Sequence, residues 1–427
     1  MEQFFKLKEA GTDARTEVLA GFTTFLTMAY IVVVNPAILS SAGVPFEQVF
    51  VATVITAVIG TLIMALWANY PIAIAPGMGI NAYFVSVVAT EGVSYQVVFG
   101  AVFFAGILFL LLTFTSFREL LISAIPDSLK YGISAGIGLF IAFLGLSNSG
   151  LIVANPDTLV MFGDVRNPVT LLTIVGLFIT LVLLAWKVKG AIFIGMLLTA
   201  IIGYFTGMLE MNGVVASPPA PVFFDLDLAG VFSHGLYAVV LSFLLVTIFD
   251  TTGTIIGVSE QAGFLKDGKL PRARQAFTAD AVATTVGATF GTTPATAYIE
   301  STSGVSVGGR TGLTSLVVAG LFIVTLFFSP LVEAISSLSA ITAPALIIVG
   351  SFMLSGLAKI DWKSFDEAFP TFAIVLMMPL TASIATGIAV GFITYPILKL
   401  FSGKGKEVHP LVYIFGVIFI LQMIFFP

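Results

Sequence analysis

Apolar runs of about 20 residues recur from one end of this chain to the other. Each is long enough to cross a hydrocarbon core of about 30 Å as a helix. No other feature limits the fold as much, because lipid admits only structures that satisfy their own backbone hydrogen bonds. Composition agrees. Hydrophobic residues make up 58% of the chain and charged residues 10%, with a mean hydropathy of +1.08. Soluble domains carry about 25% charged residues. The chain therefore reads as an all-α polytopic membrane protein. A net charge of −5 gives no reason to expect nucleic acid as a partner. Cysteine is absent, which excludes disulfides, thiolate metal sites and cysteine nucleophiles. Residues 1–15 are polar, lack a cleavable signal pattern and read as a short cytoplasmic N-terminus.

Candidate spans lie at 16–39, 47–69, 71–90, 95–115, 128–147, 168–186 and 190–209. After a polar extracellular linker, 210–230, they resume at 231–258, 274–290, 292–308, 311–329 and 342–358. Residues 369–401 exceed one crossing, since about 33 residues at about 1.5 Å each reach roughly 50 Å. Pro379 and Gly387 supply a break there, giving two short spans. A last apolar run, 411–426, either spans or lies in the interface. Basic residues set the orientation. Lys6, Lys8, Arg15, Arg118, Lys130, Lys187, Lys189, Lys266, Lys269, Arg272, Arg274, Arg310, Lys359 and Lys363 share one side if the N-terminus is cytoplasmic. On the other side, 210–227 holds acids and no Lys or Arg, and Arg166 stands alone in 147–167. This predicts a multi-pass protein of the cell membrane.

Two stretches break the pattern. "NYPIAIAPGMGINAYF", residues 69–84, has Pro71, Pro76, Gly77, Gly79 and Asn81; "GTTPATAYIESTSGVSVGG", residues 291–309, has Pro294 and Glu300. They are about 220 residues apart. Each is the third span of a seven-span block, the first 16–209 and the second 231–427 with its terminal run. Seven is odd, so the second block is inverted. Paired, inverted repeats with interrupted helices are a pattern of secondary transporters. Irregular backbone at membrane depth is tolerated only inside protein or beside a water-filled cavity. "YPIAIAP" and "TPATAYI" read as extended segments, and "GMGINAYF" and "ESTSGVSV" as half-helices. Two half-helix N-termini would meet near the midplane, with free N–H groups and partial positive charge.

Acids at that depth mark a site or pathway, since a carboxylate there costs at least about 2.5–3.5 kcal/mol. Asp250, within "LSFLLVTIFDTTGTIIGV", and Glu300 are the two candidates. Thr254 follows Asp250 by one helical turn on the same face; it lines the cavity or bonds back to the preceding turn. Asn81 opens a half-helix as a site residue or a cap. Asp280 is either a residue at the cytoplasmic end of its span or a member of a proton path, and His234 reads as a surface residue.

"FLTMAYIVVVNP", "APGMGINAYF", "FDTTGTIIGV" and "YIESTSGV" together resemble the AzgA-like purine permeases of the nucleobase–ascorbate transporter superfamily, across essentially the whole chain. The resemblance implies fourteen segments in two inverted seven-segment repeats, with short strands in the third and tenth. It implies a core domain of 16–115 and 231–329 and a gate domain of 128–209 and 342–427. It places substrate between the two strands and the half-helices, held by Asp250 and Glu300, with Asn81 matching the third-span asparagine. The related uracil permeases carry Glu in the eighth span, so "FDTTG" favours the purine branch. The terminal run 411–426 is one segment more than fourteen.

The chemistry fits a purine, whose edge offers adjacent N–H donors to a carboxylate and ring acceptors to helix N–H groups. Substrate-site candidates are Asp250, Glu300, Asn81, Gly79, Ile80, Phe84, Thr254 and Ser301, with Glu300 and Asp250 also the proton-coupling pair. Gly79 and Gly304 are expected to face the cavity and to tolerate bulk badly. The partners expected are a purine nucleobase, a proton and the bilayer, without cofactor or metal; a homodimer stays open. Two acids in the site argue against an anion as solute. A channel would need a continuous polar pore, and no metal cluster, Ser–His pair or phosphate loop supports an enzyme. Sodium in place of the proton, and the choice among adenine, guanine, hypoxanthine and xanthine, stay open at this stage.

Overall fold

A computed structural model describes residues 2–115, 123–211, 213–265 and 270–425. Arg118, Lys266 and Lys269, used above for orientation, lie outside the described residues. The first repeat comprises α1 (Ala14–Met28) and α2 (Ile31–Ser40), which form one interrupted span, then α3 (Phe46–Ile63), continued by a π turn Met64–Ala68. Strand β1 (Ile74–Pro76) leads into α4 (Met78–Glu91), followed by α5 (Tyr95–Thr113) and α6 (Asp127–Asn148). A hairpin of β2 (Ile152–Asn155) and β3 (Leu159–Phe162) precedes α7 (Pro168–Ala185) and α8 (Ala191–Phe205). A short helix, Leu228–Ser233, opens the second repeat, so the eighth span proper is α9 (Tyr237–Gln261) and starts later than the hydropathy predicts. Then come α10 (Ala273–Phe290), β4 (Ala295–Ala297), α11 (Ser301–Val307), α12 (Gly312–Thr325) and α13 (Ser329–Ser337). The chain ends with α14 (Ser339–Met353), α15 (Phe365–Thr381), α16 (Ile384–Phe401) and α17 (Pro410–Phe425).

Among the described residues, nine helical stretches are long and apolar enough to cross a membrane. The remaining spans escape that criterion for physical reasons. The third and tenth are half strand and half helix. Helix α10 is rich in Ala and Thr because it packs between α3 and α5 rather than against lipid. Small residues let the backbones close in: a Cβ on Gly60 of α3 would lie 2.8 Å from that of Ala283, and one on Gly106 of α5 would lie 2.9 Å from the Thr285 nitrogen.

The helices sort into two bodies. In the core, α12 packs on α1 and α3, α11 on α1, α10 on α3 and α5, and α9 on α5. In the gate, α6 packs on α14 and α15, α7 on α8 and α14, and α15 on α16. The stretch 369–401 divides as its length required, with Ala382 and Ser383 between α15 and α16. The terminal helix α17 runs antiparallel along α16: Tyr413 Oη donates to the Gly405 carbonyl at 3.0 Å, and Phe419 packs on Phe392 at 5.7 Å. It therefore follows the span instead of lying across its end.

The two breaks meet as an antiparallel pair, with Ile74 opposite Ala297, Ala75 opposite Thr296 and Pro76 opposite Ala295. Gly77 N donates to the Pro294 carbonyl and Tyr298 N to the Ala73 carbonyl, both at 2.9 Å. A two-stranded ribbon leaves its outer edges unpaired, which is costly at this depth. Each repeat supplies a threonine from its preceding helix. Thr61 Oγ1 of α3 accepts from Ile74 N and donates to the Ile74 carbonyl, both at 3.0 Å. Thr284 Oγ1 of α10 accepts from Ala295 N at 3.0 Å. Thr251 Oγ1 of α9 accepts from Ala297 N, and Ser315 Oγ of α12 donates to the Tyr70 and Ile72 carbonyls. Glu17, fully buried on α1, ties the same region together. Its carboxylate accepts from Arg310 N (2.8 Å), Thr311 N (3.2 Å), Thr314 N (3.1 Å) and Thr314 Oγ1 (2.6 Å), satisfying the start of α12.

Thr61→Val and Thr284→Val keep shape and remove these hydroxyls. Each should destabilise the protein by about 1–3 kcal/mol, as a buried N–H is left unpaired. The Ser variants should retain most of the stability. Thermal unfolding of the detergent-purified protein measures both; equal melting of the Val and Ser variants would show that the edges are satisfied otherwise.

Candidate substrate site

Both half-helices start at the strand pair. Gly77 is the N-cap of α4 and Glu300 that of α11. Asn81 therefore sits one turn inside α4 and does not cap it. Its side-chain oxygen accepts a short hydrogen bond from Thr293 Oγ1, and its Nδ2 is buried without a partner among the described residues. One residue earlier, Thr292 Oγ1 accepts from Asn35 Nδ2 at 2.9 Å, and Asn35 also donates to Thr53 at 2.6 Å. The extended segment of the second break is thus held by side chains of the first and third spans.

The acids converge from the other side. Asp250 lies mid-way along α9, half-buried, beside the Thr296 hydroxyl of β4 and close enough to Glu300 for their charges to interact. Glu300 is half-buried, and its Oε1 accepts from Tyr30 Oη at 2.5 Å. Asp280 on α10 is a third acid behind Asp250. It is fully buried, its Oδ2 accepts from Thr251 Oγ1 at 2.6 Å, and its Oδ1 has no partner among the described residues. Its surroundings are those of the core interior, not of a span end. Open space adjoins the acids: nothing lies within 4 Å of a Cβ built on Gly253, one turn beyond Asp250, and Ile299 is 53% exposed. Thr254 is half-buried on this stretch of α9.

The other candidates turn away from that space. Phe84 is fully buried and packs on Phe99 of α5 at 4.8 Å, while its neighbour Tyr83 packs on Phe243 at 4.7 Å. Both rings fill the interior of the core, so neither flanks the open space. Ile80 is fully buried. Ser301 Oγ accepts from Ala73 N at 3.0 Å and so latches α11 to the first break. Gly79 meets the gate, where an added Cβ would lie 2.3 Å from Ile137 Cγ2 of α6. Gly304 meets α1 instead of the cavity: a Cβ there would lie 2.2 Å from Thr24 Oγ1 and 2.7 Å from the Ala20 carbonyl. The surroundings of the acids also include Tyr30, Thr251 and Thr296, which sequence reasoning did not single out. Tyr30 lay within a quoted motif, "FLTMAYIVVVNP", but a tyrosine in an apolar span carries no charge to flag it. His234 caps its own short helix through the Gly230 carbonyl, away from the acids. No group of three or more His, Asp or Glu placed to share a metal ion occurs among the described residues.

An inverted-repeat core whose two interrupted spans pair as strands, with two acids beside them, has a secondary-transporter architecture. A family model described as "Permease family" matches residues 15–390. The guanine/hypoxanthine permease PbuO of Bacillus subtilis (strain 168) is 56% identical, over 98% of this chain and 99% of its own length. The adenine permease AdeP of Escherichia coli (strain K12) is 47% identical, over 100% of this chain and 96% of its own. Among solved structures, the transmembrane domain of the cyanobacterial bicarbonate transporter BicA superposes with a TM-score of 0.68 at 17% identity, over 87% of this chain and 97% of that one. That likeness concerns the fold. The chain belongs to this permease family, and within it to the AzgA-like purine permeases of the nucleobase–ascorbate transporter superfamily.

Two glycines separate packing from site. Gly304→Ala should lower stability, because the added methyl meets the α1 backbone. Gly253→Ala should leave the melting temperature unchanged or slightly raised, since Ala is favoured over Gly within a helix by about 0.5–1 kcal/mol, yet raise the KM for substrate. Melting and transport kinetics on the two purified variants check this. Unaltered kinetics in Gly253→Ala would place the substrate elsewhere.

Proposed function

We propose that the protein imports purine nucleobases — hypoxanthine, guanine and/or adenine — by proton symport with alternating access. The observation that carries this reading is the approach of Asp250 and Glu300 beside open space and the paired strands that lead into the half-helices. A carboxylate accepts two parallel N–H bonds from a purine edge, and such charge-assisted bonds are the strong ones. The named activities of PbuO and AdeP support the substrate class. Asp250 and Glu300 bind the base, Thr254 borders it, and Asp280, bonded to Thr251, is the buried acid behind the pair. Asn81, Gly79, Ile80, Ser301 and Phe84 shape the half-helices that frame the site. The protein sits in the cell membrane with its N-terminus in the cytoplasm, as the Lys and Arg distribution supports. Residues 16–115 with 231–329 move as the core against the gate of 128–209 and 342–427.

Proton coupling follows from the same pair. Two carboxylates in one cavity titrate as a coupled unit, so one can take up a proton on one side of the membrane and release it on the other. A neutral purine entering with one proton carries positive charge inward. The membrane potential then contributes about 2.3 kcal/mol per charge per 100 mV.

Radiolabelled purine uptake in cells lacking their own purine permeases tests this. Asp250→Asn and Glu300→Gln should each reduce uptake at least about tenfold, a transition worth roughly 1.4 kcal/mol or more, with surface expression retained. Normal kinetics in both would remove them from the site. Wild-type uptake should rise as external pH falls and collapse with a protonophore at constant sodium. Uptake that ignored both treatments but required sodium would make the protein a sodium symporter with the purine site intact.

A further inference from the structure

From outside its own segment, the Glu300 carboxylate is held on one side only. Its Oε1 accepts from Tyr30 Oη at 2.5 Å, whereas its Oε2 takes no hydrogen bond from another described residue. The backbone carbonyl of Glu300 accepts from Thr27 Oγ1 at 3.4 Å, so the first span grips both ends of this residue. Tyr30 is 1% exposed and stands at the interruption between α1 and α2. The titratable groups around Glu300 are Tyr30, Tyr298 on its own segment and Asp250 on α9. Tyr298 Oη donates away, to the Pro76 carbonyl at 2.5 Å. Of the other charged groups on the packed elements, Glu17 is bound to the start of α12 and Glu260 is exposed near the far end of α9. Arg310 donates to the Val305 and Gly309 carbonyls at 2.7 and 2.8 Å. The phenol is therefore the group from outside its own segment that fixes the carboxylate.

We infer that Tyr30 is a positioning residue that divides the work of the two Glu300 oxygens: the phenol occupies Oε1, and Oε2 alone exchanges the proton and meets the substrate N–H. A donor on Oε1 withdraws charge from that oxygen, so the acid proton goes to Oε2. The grip also fixes the side-chain rotamer, which sets the direction from which a planar base can be bound. This rests on the assignment of Glu300 to the substrate and proton site.

The test uses purified full-length protein in proteoliposomes, with radiolabelled guanine, hypoxanthine and adenine and an imposed pH gradient. Tyr30→Phe removes only the hydroxyl. It should raise KM about tenfold, the scale of a hydrogen bond to a charged group, and displace the pH profile of uptake by about half a unit or more. In the Glu300→Gln background, where purine binding is read by scintillation proximity, the same change should alter affinity less than about twofold. A wild-type KM and pH profile in Tyr30→Phe, or an equal effect in both backgrounds, overturns the inference. If Tyr30→Phe melts early, Tyr30→3,5-difluorotyrosine strengthens the donor while preserving the packing, and its pH profile should still move; an unmoved profile overturns the inference. Wild-type transport in Glu300→Gln alone would overturn the site reading beneath it and is scored separately.

Discussion

Everything in this structure depends on two three-residue strands that pair where a helix would be the default. Backbone N–H and C=O groups cannot be left open in lipid, so the β1–β4 ribbon exists only because it is enclosed. Thr61, Thr284, Thr251 and Ser315 complete its edges from four different helices. That enclosure frees the chain to start two half-helices inside the core, with Gly77 capping one and Glu300 the other. The site is a by-product of solving a backbone problem twice, once in each repeat.

The approximate symmetry extends to how the two breaks are built. Each repeat contributes an extended segment, a half-helix and a threonine from the preceding helix. The repeats differ in what they place on the half-helix. The first offers Gly77 and Asn81 and turns its aromatic rings into the core; the second offers Glu300 at the cap. Asp250 belongs to the second repeat too. Beside the strand pair, Asp250 and Glu300 both come from the second repeat, while the first supplies Tyr30 and Asn81 as uncharged hydrogen-bonding partners.

Much of this was legible in the sequence. Pro71, Pro76, Gly77 and Pro294 marked the breaks, because these residues have few roles inside an apolar span, and Asp250 and Glu300 stood out because charge there is costly. The overlong stretch 369–401 divided by arithmetic alone. The rest was not legible because it depends on long-range neighbours. Asn81 and Thr293 are 212 positions apart, and Tyr30 and Glu300 are 270 apart. No local pattern states which face of α4 meets the gate and which meets α5, so Phe84 could not be told from a ring lining open space. The break at Tyr30 carries no proline, and the small residues of α10 lowered its hydropathy below that of a lipid-facing span.

The Glu17 carboxylate bears on how the protein is made. It lies in the first repeat, yet its partners are 293 to 297 residues downstream. Asn35 and Asn81 likewise wait for Thr292 and Thr293. A nascent first repeat in the bilayer therefore carries polar groups whose partners have not been synthesised. The halves cannot mature one after the other as independent domains do. The first must stay loosely packed, or sheltered by the insertion machinery, until the second arrives to close it.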